Sequence, residues 1–407
     1  MITELKIEGF KSFGTPEQTL HFDRLNFLVG ANASGKTNLI SALRFLQHAV
    51  LQNAESAVNE WGGPAEVRNK RVRERAQPKP LRLSVKLDFS KAQKVGFETE
   101  DSRYHFLSFN YSVTLDLRSS ESLPKVVAEI LEADIEDKQR QTLRYKLQRN
   151  ASEVEIFDPS QKGKAHSQKI RVPEQEATRL ALGVGFFSPP CVMLRHIISN
   201  WRFFNISPQV ARVPAKEIPD IDLGPAGENL AVILHKLEMQ NGKGAMDAIV
   251  AGLKSTVAGF QGLKTAQLPI EGQWAFQVVE EKIRGAINPN SVSDGTIRLL
   301  AFMVIAHWTA QHASLVAIEE PENGIHPHLS EHLVQILRAT AQQRQFLITT
   351  HNPAFLDHLT SGEVVLFDKI DGFTKIKRAS DIPEIKRFQK HFRLGELWVQ
   401  GTLGGIP

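Results

Sequence analysis

The chain has 407 residues, of which 42% are hydrophobic and 23% charged, as in an ordinary globular protein with ample core to bury. Its net charge of +4 is spread over the whole length, which permits nucleic-acid contact without arguing for it. A single cysteine, Cys191, excludes an internal disulfide framework, and its apolar neighbours predict a buried thiol. The N-terminus lacks a signal-peptide pattern, and no apolar run reaches the roughly 18 residues of a membrane helix, so we expect a soluble cytoplasmic protein.

Residues 30–37, with the sequence GANASGKT, match the pattern G-x-x-x-x-G-K-[ST] and directly follow an apolar run at 25–29. A strand, a glycine loop and a helix in that order form a phosphate-binding loop. The glycines let successive backbone N–H groups turn toward an anion, and the helix that begins near Lys36 adds its positive dipole end. Lys36 is predicted to reach the β- and γ-phosphates, and the Thr37 hydroxyl to hold Mg²⁺.

The nucleotide-binding residues that we predict here are Gly30, Asn32, Ala33, Ser34, Gly35, Lys36, Thr37 and Asn38. The helix after the loop has apolar residues at helical spacing and therefore one buried face.

Residues 68–82 form a basic stretch with a single acidic residue, Glu74. Its seven basic residues are Arg68, Lys70, Arg71, Arg73, Arg75, Lys79 and Arg82. Such a stretch is compatible with phosphate contacts on DNA, with a solvated loop, or with a surface that docks an effector.

Strict alternation at 81–89 and 107–117 predicts antiparallel strands in a β-rich lobe, whereas residues 119–175 show no pattern that places them. Helical spacing returns at 230–237 and again at 297–308. A buried strand is predicted at 315–318, a helix near 329–337 and a further apolar strand at 346–348.

Two downstream segments carry groups that suit phosphate chemistry. Residues 291–296, SVSDGT, open the helix at 297–308, where the serines and the glycine are either anion ligands or a plain helix cap. Glu319 and Glu320 follow the buried strand directly. Beside a phosphate-binding loop, one such carboxylate holds the metal and the next orients or deprotonates water. An acidic strand end that faces solvent is the alternative.

Histidines complete the set of candidates. Glu322, His326 and His328 suggest a metal cluster, but the proline between the histidines disfavours a shared helical face. His351 follows the strand at 346–348, and from that position it is either within reach of a γ-phosphate or a plain loop histidine.

Taken in chain order, these segments resemble the ATP-binding-cassette ATPases of the SMC, RecF and OLD type. Residues 30–37 are similar to their Walker A motif, and 293–296 resemble their signature loop. Residues 315–320 resemble Walker B, 322–327 the dimer-contact loop that follows it, and His351 the switch histidine.

Two further segments narrow the resemblance. GFKSF at 9–13 resembles the opening of SMC-type proteins. The block IEEPENGIHP at 318–327 and GELW at 395–398 are similar to compact "AAA family" ATPases of bacterial accessory and phage-defence operons. The resemblance covers 1–50 and 290–360 best and is thin between 90 and 220.

This resemblance implies an α/β P-loop NTPase fold of ATP-binding-cassette type, with a mixed β-sheet core, an antiparallel β lobe and a helical lobe. We expect an N-terminal ATPase lobe at 1–90, a β-rich and helical insertion at 91–225, and the signature and C-terminal ATPase lobes at 226–407. It also implies ATP hydrolysis with Mg²⁺, with Glu320, His351 and Lys36 as catalytic residues and Thr37 and Glu319 as metal ligands. Ser293 and Gly295 would contact the nucleotide of a second protomer, so that two chains pair head-to-tail around ATP as a homodimer or a higher assembly of dimers.

The chain departs from the family pattern at two positions. Glu319 replaces the usual aspartate, and Asp294 stands where the common signature has glycine. A carboxylate near a γ-phosphate is unfavourable unless it is paired or points away, so we expect slow hydrolysis. Gln209 is the candidate for the Q-loop glutamine, supported by position alone.

Two functions fit these features. One is the ATPase sensor or scaffold of an anti-phage defence system that acts with a separate effector, such as a nuclease. The other is a RecF-like, ATP-dependent DNA-binding repair factor. A nucleotide-bound structural module without hydrolysis is a third alternative. We expect no nuclease site in this chain, since no further acidic cluster accompanies Glu319 and Glu320.

Overall fold

The computed structural model describes residues 1–70, 80–90, 95–98, 103–117, 123–137, 139–159, 167–183, 188–217, 222–239, 244–269, 272–389 and 391–403. Its strands are β1 (Ile2–Glu8), β2 (Gln18–His21), β3 (Leu25–Gly30), β4 (Leu81–Asp88), β5 (Val95–Glu98), β6 (Arg103–Asp116), β7 (Lys125–Glu136), β8 (Thr142–Asn150), β9 (Glu153–Phe157), β10 (Ser167–Arg171), β11 (Trp201–Phe204), β12 (Ala215–Lys216), β13 (Phe260–Gln267), β14 (Gln273–Glu280), β15 (Leu315–Glu319), β16 (Phe346–Thr350), β17 (Val364–Ile370) and β18 (Phe373–Arg378).

The α-helices are α1 (Lys36–Leu51), α2 (Ala54–Glu60), α3 (Pro64–Val67), α4 (Pro189–Ser199), α5 (Pro208–Ala211), α6 (Leu230–Met239), α7 (Ala245–Thr256), α8 (Asp294–Val304), α9 (Ala310–His312), α10 (Ser330–Ala341), α11 (Pro353–Leu356), α12 (Pro383–Phe388) and α13 (Leu394–Val399). A π-helical turn, Ile305–Thr309, joins α8 to α9, so the helix predicted at 297–308 is present with a local widening. None of the helices in the described part of the chain combines the length and the apolarity that a membrane crossing needs.

The chain divides into two compact units by its internal contacts. The first comprises Met1–Asp23, Gly30–Trp201 and Leu366–Lys377, and the second comprises Arg24–Val29, Arg202–Val365 and Arg378–Pro407. The sequence predicted three functional lobes along the chain, at 1–90, 91–225 and 226–407. These lobes are a different kind of division from the two contact-based units, and they stay a prediction.

The first unit is built on an antiparallel sheet of strand order β10-β9-β8-β7-β6-β4-β1-β2, with β5 paired to β6. The strands predicted at 81–89 and 107–117 are confirmed, because β4 and β6 pair antiparallel with Leu81 opposite Leu115. Strands β7 to β10 occupy most of the region that had no clear pattern. One reason is that Glu129, on β7, is fully buried, which breaks the apolar alternation of that strand.

Buried polar groups link strands β6 and β7 of this sheet to the chain at 181–182. The Glu129 carboxylate accepts hydrogen bonds from the Tyr111 hydroxyl at 2.8 Å and from the backbone N–H groups of Ala181 and Leu182 at 2.5 and 2.9 Å. Burial raises the pKa of Glu129.

Two further predictions concern single segments of this unit. Cys191 on α4 is buried, as predicted. In the basic stretch, Arg71, Arg73, Arg75 and Lys79 lie outside the described residues.

The second unit is built on a sheet of order β11-β15-β16-β3, continued by the first residues of β17, in which β15, β16 and β3 are parallel. Parallel pairing is explicit in the registers, with Ile318 opposite Ile348 and Ile348 opposite Phe27. All six residues of β3 and all five of β16 are buried, which explains their continuous apolar runs. A small antiparallel sheet, β12-β14-β13, packs against α6 and α7.

Candidate functional site

The phosphate-binding loop joins β3 to α1 in the conformation that its sequence pattern predicts. Ala33 and Gly35 have φ values of 62° and 112°, in the left-handed region that turns backbone N–H groups toward a common point. A Cβ on Gly30 would lie 2.5 Å from the carbonyl oxygen of Phe367 and 2.6 Å from Ser34 Oγ, so no other residue fits there. Asn32, Ala33 and Thr37 are exposed.

Lys36 and Ser34 fit the phosphate group that the loop implies. Lys36 is 6% exposed, and its ammonium donates to the carbonyl oxygens of Gly30 and Ala31 at 2.6 and 2.9 Å, so the side chain is held inside the loop. Ser34 Oγ is buried and has no hydrogen-bond partner among the described residues. A buried hydroxyl without a partner, in the same loop as an ammonium group, is the donor set that a phosphate oxygen satisfies.

A chain of hydrogen bonds braces this loop from outside it. Asn38 Nδ2 donates to Ser12 Oγ at 2.8 Å, Ser12 Oγ lies 2.7 Å from Thr374 Oγ1, and Thr374 Oγ1 donates to the carbonyl oxygen of Ser34 at 2.8 Å. A Cβ on Gly35 would lie 2.1 Å from Thr374 Oγ1. Sequence reasoning missed Thr374, for which no local signal exists, and gave Ser12 no role. Direct nucleotide contact by Asn38 stays a prediction.

In the second unit, Glu320 and His351 lie side by side. Strands β15 and β16 are parallel neighbours, so both chains leave the sheet at the same edge. Glu320 follows β15 with φ of 47°, and its backbone N–H donates to the carbonyl oxygen of Thr349 at 3.0 Å. Glu320 Oε2 accepts from Asn323 Nδ2 at 2.7 Å, and Oε1 lies 3.1 Å from His351 Nδ1. A strained backbone that aims a carboxylate held at both oxygens is typical of a functional residue.

Glu322, His326 and His328 follow Glu320 in the chain. Glu322 is 5% exposed and accepts from the Thr350 hydroxyl, while its second oxygen has no partner in the described parts of the chain. Burial raises the pKa of Glu322, which favours the protonated acid. His326 Nδ1 and His328 Nδ1 are 2.6 Å apart. Within the described residues there is no group of three His, Cys, Asp or Glu side chains suited to a metal ion.

The signature segment caps α8. Ser293 Oγ accepts from the backbone N–H of Thr296 at 3.1 Å, so the capping role is present, while its predicted role as an anion ligand stays a prediction. A Cβ on Gly295 would lie 2.3 Å from the carbonyl oxygen of Gly324, and this close approach requires glycine at 295.

Asp294, the unusual residue of the signature, is paired. Its carboxylate lies 2.7 Å from Arg212 Nη2 and accepts from Gln209 Nε2 at 3.3 Å. Arg212 also donates to the carbonyl oxygens of Pro289 and Val292 at 2.9 and 2.6 Å. Sequence reasoning missed Arg212. The Q-loop role of Gln209 stays a prediction, although its contact links it to the signature segment.

Two protein-family models match parts of the chain. Residues 4–188 match a family model described as "AAA domain", and residues 213–357 match one described as "AAA domain, putative AbiEii toxin, Type IV TA system". No curated protein matches the chain.

Solved structures define the fold class. An SMC head bound to the C-winged helix domain of ScpA matches with a TM-score of 0.53 and 11% identity, over 92% of this chain and 97% of that one. An SMC head with an extended coiled coil, bound to the C-terminal domain of ScpA derived from Pyrococcus furiosus, matches with a TM-score of 0.52 and 12% identity, over 96% and 99%. The predicted P-loop α/β fold, with mixed and antiparallel sheets, is confirmed as SMC-head-like. The chain therefore has an SMC-head-like P-loop fold, and two parts of it are similar to AAA domains.

Proposed function

We propose that the protein is an ATP-hydrolysing switch that dimerises around ATP. The observation that carries this proposal is the Glu320 carboxylate, held at the end of β15 between Asn323 Nδ2 and His351 Nδ1. In this proposal Glu320 accepts the proton of the attacking water, and His351 orients Glu320 and contacts the γ-phosphate. A protein that only stored a nucleotide would have no need for a carboxylate positioned in this way.

The proposal assigns phosphate binding to the loop of the first unit. Lys36 exchanges its two carbonyl partners for phosphate oxygens, and Ser34 Oγ gains the partner that it lacks among the described residues. The Thr37 hydroxyl and the Glu319 carboxylate would hold Mg²⁺, a cation that prefers such oxygen ligands and retains several waters. The metal would neutralise charge on the phosphates.

Dimerisation is the second part of the proposal. Ser293 and Gly295 are assigned to the nucleotide of a partner protomer, so that each protomer closes over the ATP of the other. The close packing of Gly295 on the carbonyl oxygen of Gly324 supports this assignment, because it ties the signature segment to the loop that resembles a dimer contact. ATP would then hold the dimer together, and hydrolysis would release it.

The test is the substitution Glu320→Gln, with Glu331→Gln as the matched control. Glu331 is an exposed glutamate on α10, so its substitution makes the same chemical change away from the proposed chemistry. We expect Glu320→Gln to abolish ATP hydrolysis and to accumulate an ATP-dependent dimer in light scattering, whereas Glu331→Gln behaves like wild type. An unchanged hydrolysis rate in Glu320→Gln, or no change of mass with ATP, would sink the proposal.

We further propose that turnover is slow. Glu319 carries one more methylene than the aspartate of the family pattern, which displaces the metal-binding carboxylate. A kcat above about 10 s⁻¹ for the isolated protein would contradict this expectation.

The wider role that we favour is that of an ATPase sensor or scaffold in a bacterial anti-phage defence system, acting with a separate effector. The family description that matches residues 213–357 names an AbiEii toxin and a type IV toxin–antitoxin system, which supports a role of this kind. Co-purification with the product of a neighbouring gene, enhanced by Glu320→Gln with ATP, is the expected result.

A RecF-like DNA-binding function is the second candidate. Its support is the similarity to SMC heads together with the basic residues at 68–82, of which Arg68, Lys70 and Arg82 are described. DNA that stimulates ATP hydrolysis, with steep salt dependence, would favour this function. Hydrolysis indifferent to DNA would favour the defence role.

A further inference from the structure

The first unit contains a cavity that the ATPase proposal does not use. It has a volume of about 650 Å³, within the usual range of roughly 300–1,000 Å³ for small-molecule sites. It lies where β7 begins, β8 turns into β9, and β10 ends, and the segment after β10 forms one wall. Its apolar lining comes mainly from Val126, Val172 and Pro173.

Three cationic side chains line this cavity against one anionic side chain. Lys125 and Arg171 are exposed at its rim, and Arg149, 1% exposed, is part of its inner wall, while the carboxylate is that of Glu174. This imbalance gives the charged lining a net positive charge, and the buried Arg149 is in surroundings where a charge acts more strongly than on an open surface.

Arg149 is the buried element of this site. Its guanidinium donates to the carbonyl oxygens of Ala151 at 2.8 Å, of Ala177 at 3.5 Å, and of Arg179. These bonds use three of its five N–H donors. Burial lowers the pKa of Arg149, and the nearby Glu129 carboxylate acts in the opposite direction. A bound anion would add a further favourable charge contact.

We propose that this cavity binds a small organic polyanion, with phosphate or carboxylate groups at the three cations and an apolar body against Val126, Val172 and Pro173. The planar guanidinium of Arg149 suits bidentate contact with either anionic group. A neutral ligand would make no charge contact with the three cations.

The segment that follows the cavity lining is hydrogen-bonded to the chain around the helices that follow the phosphate-binding loop. The carbonyl oxygen of Thr178 accepts from the backbone N–H of Ala54, the first residue of α2, at 2.9 Å. Arg195 donates both to the carbonyl oxygen of Gly183 and to that of Leu51, the last residue of α1. A ligand in the cavity would therefore contact Ala177, next to the residue that is hydrogen-bonded to the start of α2.

The experiment is calorimetric titration of the full chain carrying Lys36→Ala, which removes the ammonium of the phosphate-binding loop. The probes are inorganic tripolyphosphate and citrate, at low salt because exposed charges are screened at higher ionic strength. We expect binding at one site, and the probe that binds more tightly identifies the anionic group. The Lys36→Ala variant removes the lysine of the phosphate-binding loop, so this titration reports on the cavity. If neither probe binds, the cavity proposal fails, and the ATPase proposal is not tested by that result.

Two sets of variants in the same background test the location. Lys125→Ala with Arg171→Ala should weaken binding at least ~10-fold, the scale of lost charge-assisted contacts. Lys146→Ala with Lys169→Ala removes the same charge from the same sheet outside the cavity and should change affinity less than ~2-fold. Arg149→Lys keeps the charge but loses the fork and should also weaken binding. Absence of binding by both probes, or equal weakening by the control pair, would overturn the proposal.

Discussion

Replacing Arg212 by methionine tests how the signature segment is held. The Arg212 side chain is 12% exposed and contacts three groups: the carbonyl oxygens of Pro289 and Val292 and the carboxylate of Asp294. Methionine keeps most of the side-chain volume and removes every donor, so the loss reports on the hydrogen bonds rather than on a cavity.

The magnitude follows from the environment of each contact. Hydrogen bonds that involve a charged group contribute about 1.5–3 kcal/mol each, so the two to carbonyl oxygens predict a loss of about 3 kcal/mol or more in the free energy of unfolding. The ion pair adds little, because the Asp294 side chain is 53% exposed and exposed pairs contribute about 0–1 kcal/mol. Asp294→Asn is therefore expected to cost less than about 1 kcal/mol.

Urea titration monitored by circular dichroism measures both variants against wild type. ATP-dependent light scattering on the same samples then asks whether the signature segment still supports dimerisation, and we expect Arg212→Met to lose it. Equal destabilisation by Asp294→Asn and Arg212→Met would mean that the ion pair, and not the backbone contacts, holds the segment. A loss below about 1 kcal/mol for Arg212→Met would refute the reasoning altogether.

Three further predictions concern single contacts. Glu129→Gln places an amide N–H donor next to the backbone N–H groups that donate to Glu129. It should lower the free energy of unfolding by about 1–3 kcal/mol. A urea titration that shows wild-type stability would contradict this prediction. Gly295→Ala places a methyl group 2.3 Å from the carbonyl oxygen of Gly324, so a similar loss of the free energy of unfolding is expected in a urea titration. Wild-type stability would show that the segments at 295 and 324 can move apart without cost. Burial acts to raise the pKa of Glu363, but the hydrogen bonds and charge of Arg338 and the hydrogen bonds from Thr360 together outweigh it, and the pKa is lowered. The folded pKa then lies below the unfolded value of about 4.3, so this stabilisation is present above that pH and is lost as the pH falls through the folded pKa. Arg338→Met should flatten the acid limb of a stability–pH curve, and superimposable curves would count against the pairing.

The sequence by itself determined the features that depend on local spacing. The phosphate-binding loop is a contiguous pattern in which glycines, a lysine and a helix start act together, so its conformation follows from neighbours along the chain. The buried strands β3, β15 and β16 were predictable for the same reason, because parallel strands covered on both faces require continuous apolar runs. Once those strands were placed, an acidic pair and a histidine at two strand ends were predictable site candidates.

Only the tertiary structure decided which distant side chains meet. Thr374 supports the carbonyl oxygen of Ser34 across 340 positions of sequence. Arg212 pairs with Asp294. The sequence had indicated that the Asp294 carboxylate would be unfavourable near a γ-phosphate unless it was paired, and the structure supplies that partner. Strand β7 was not predicted, because the sequence pattern treats Glu129 as a surface residue. In the structure Glu129 is buried, and its carboxylate accepts hydrogen bonds from donors far apart in the chain. Each of these contacts depends on packing between segments far apart in the chain, and no local periodicity records it.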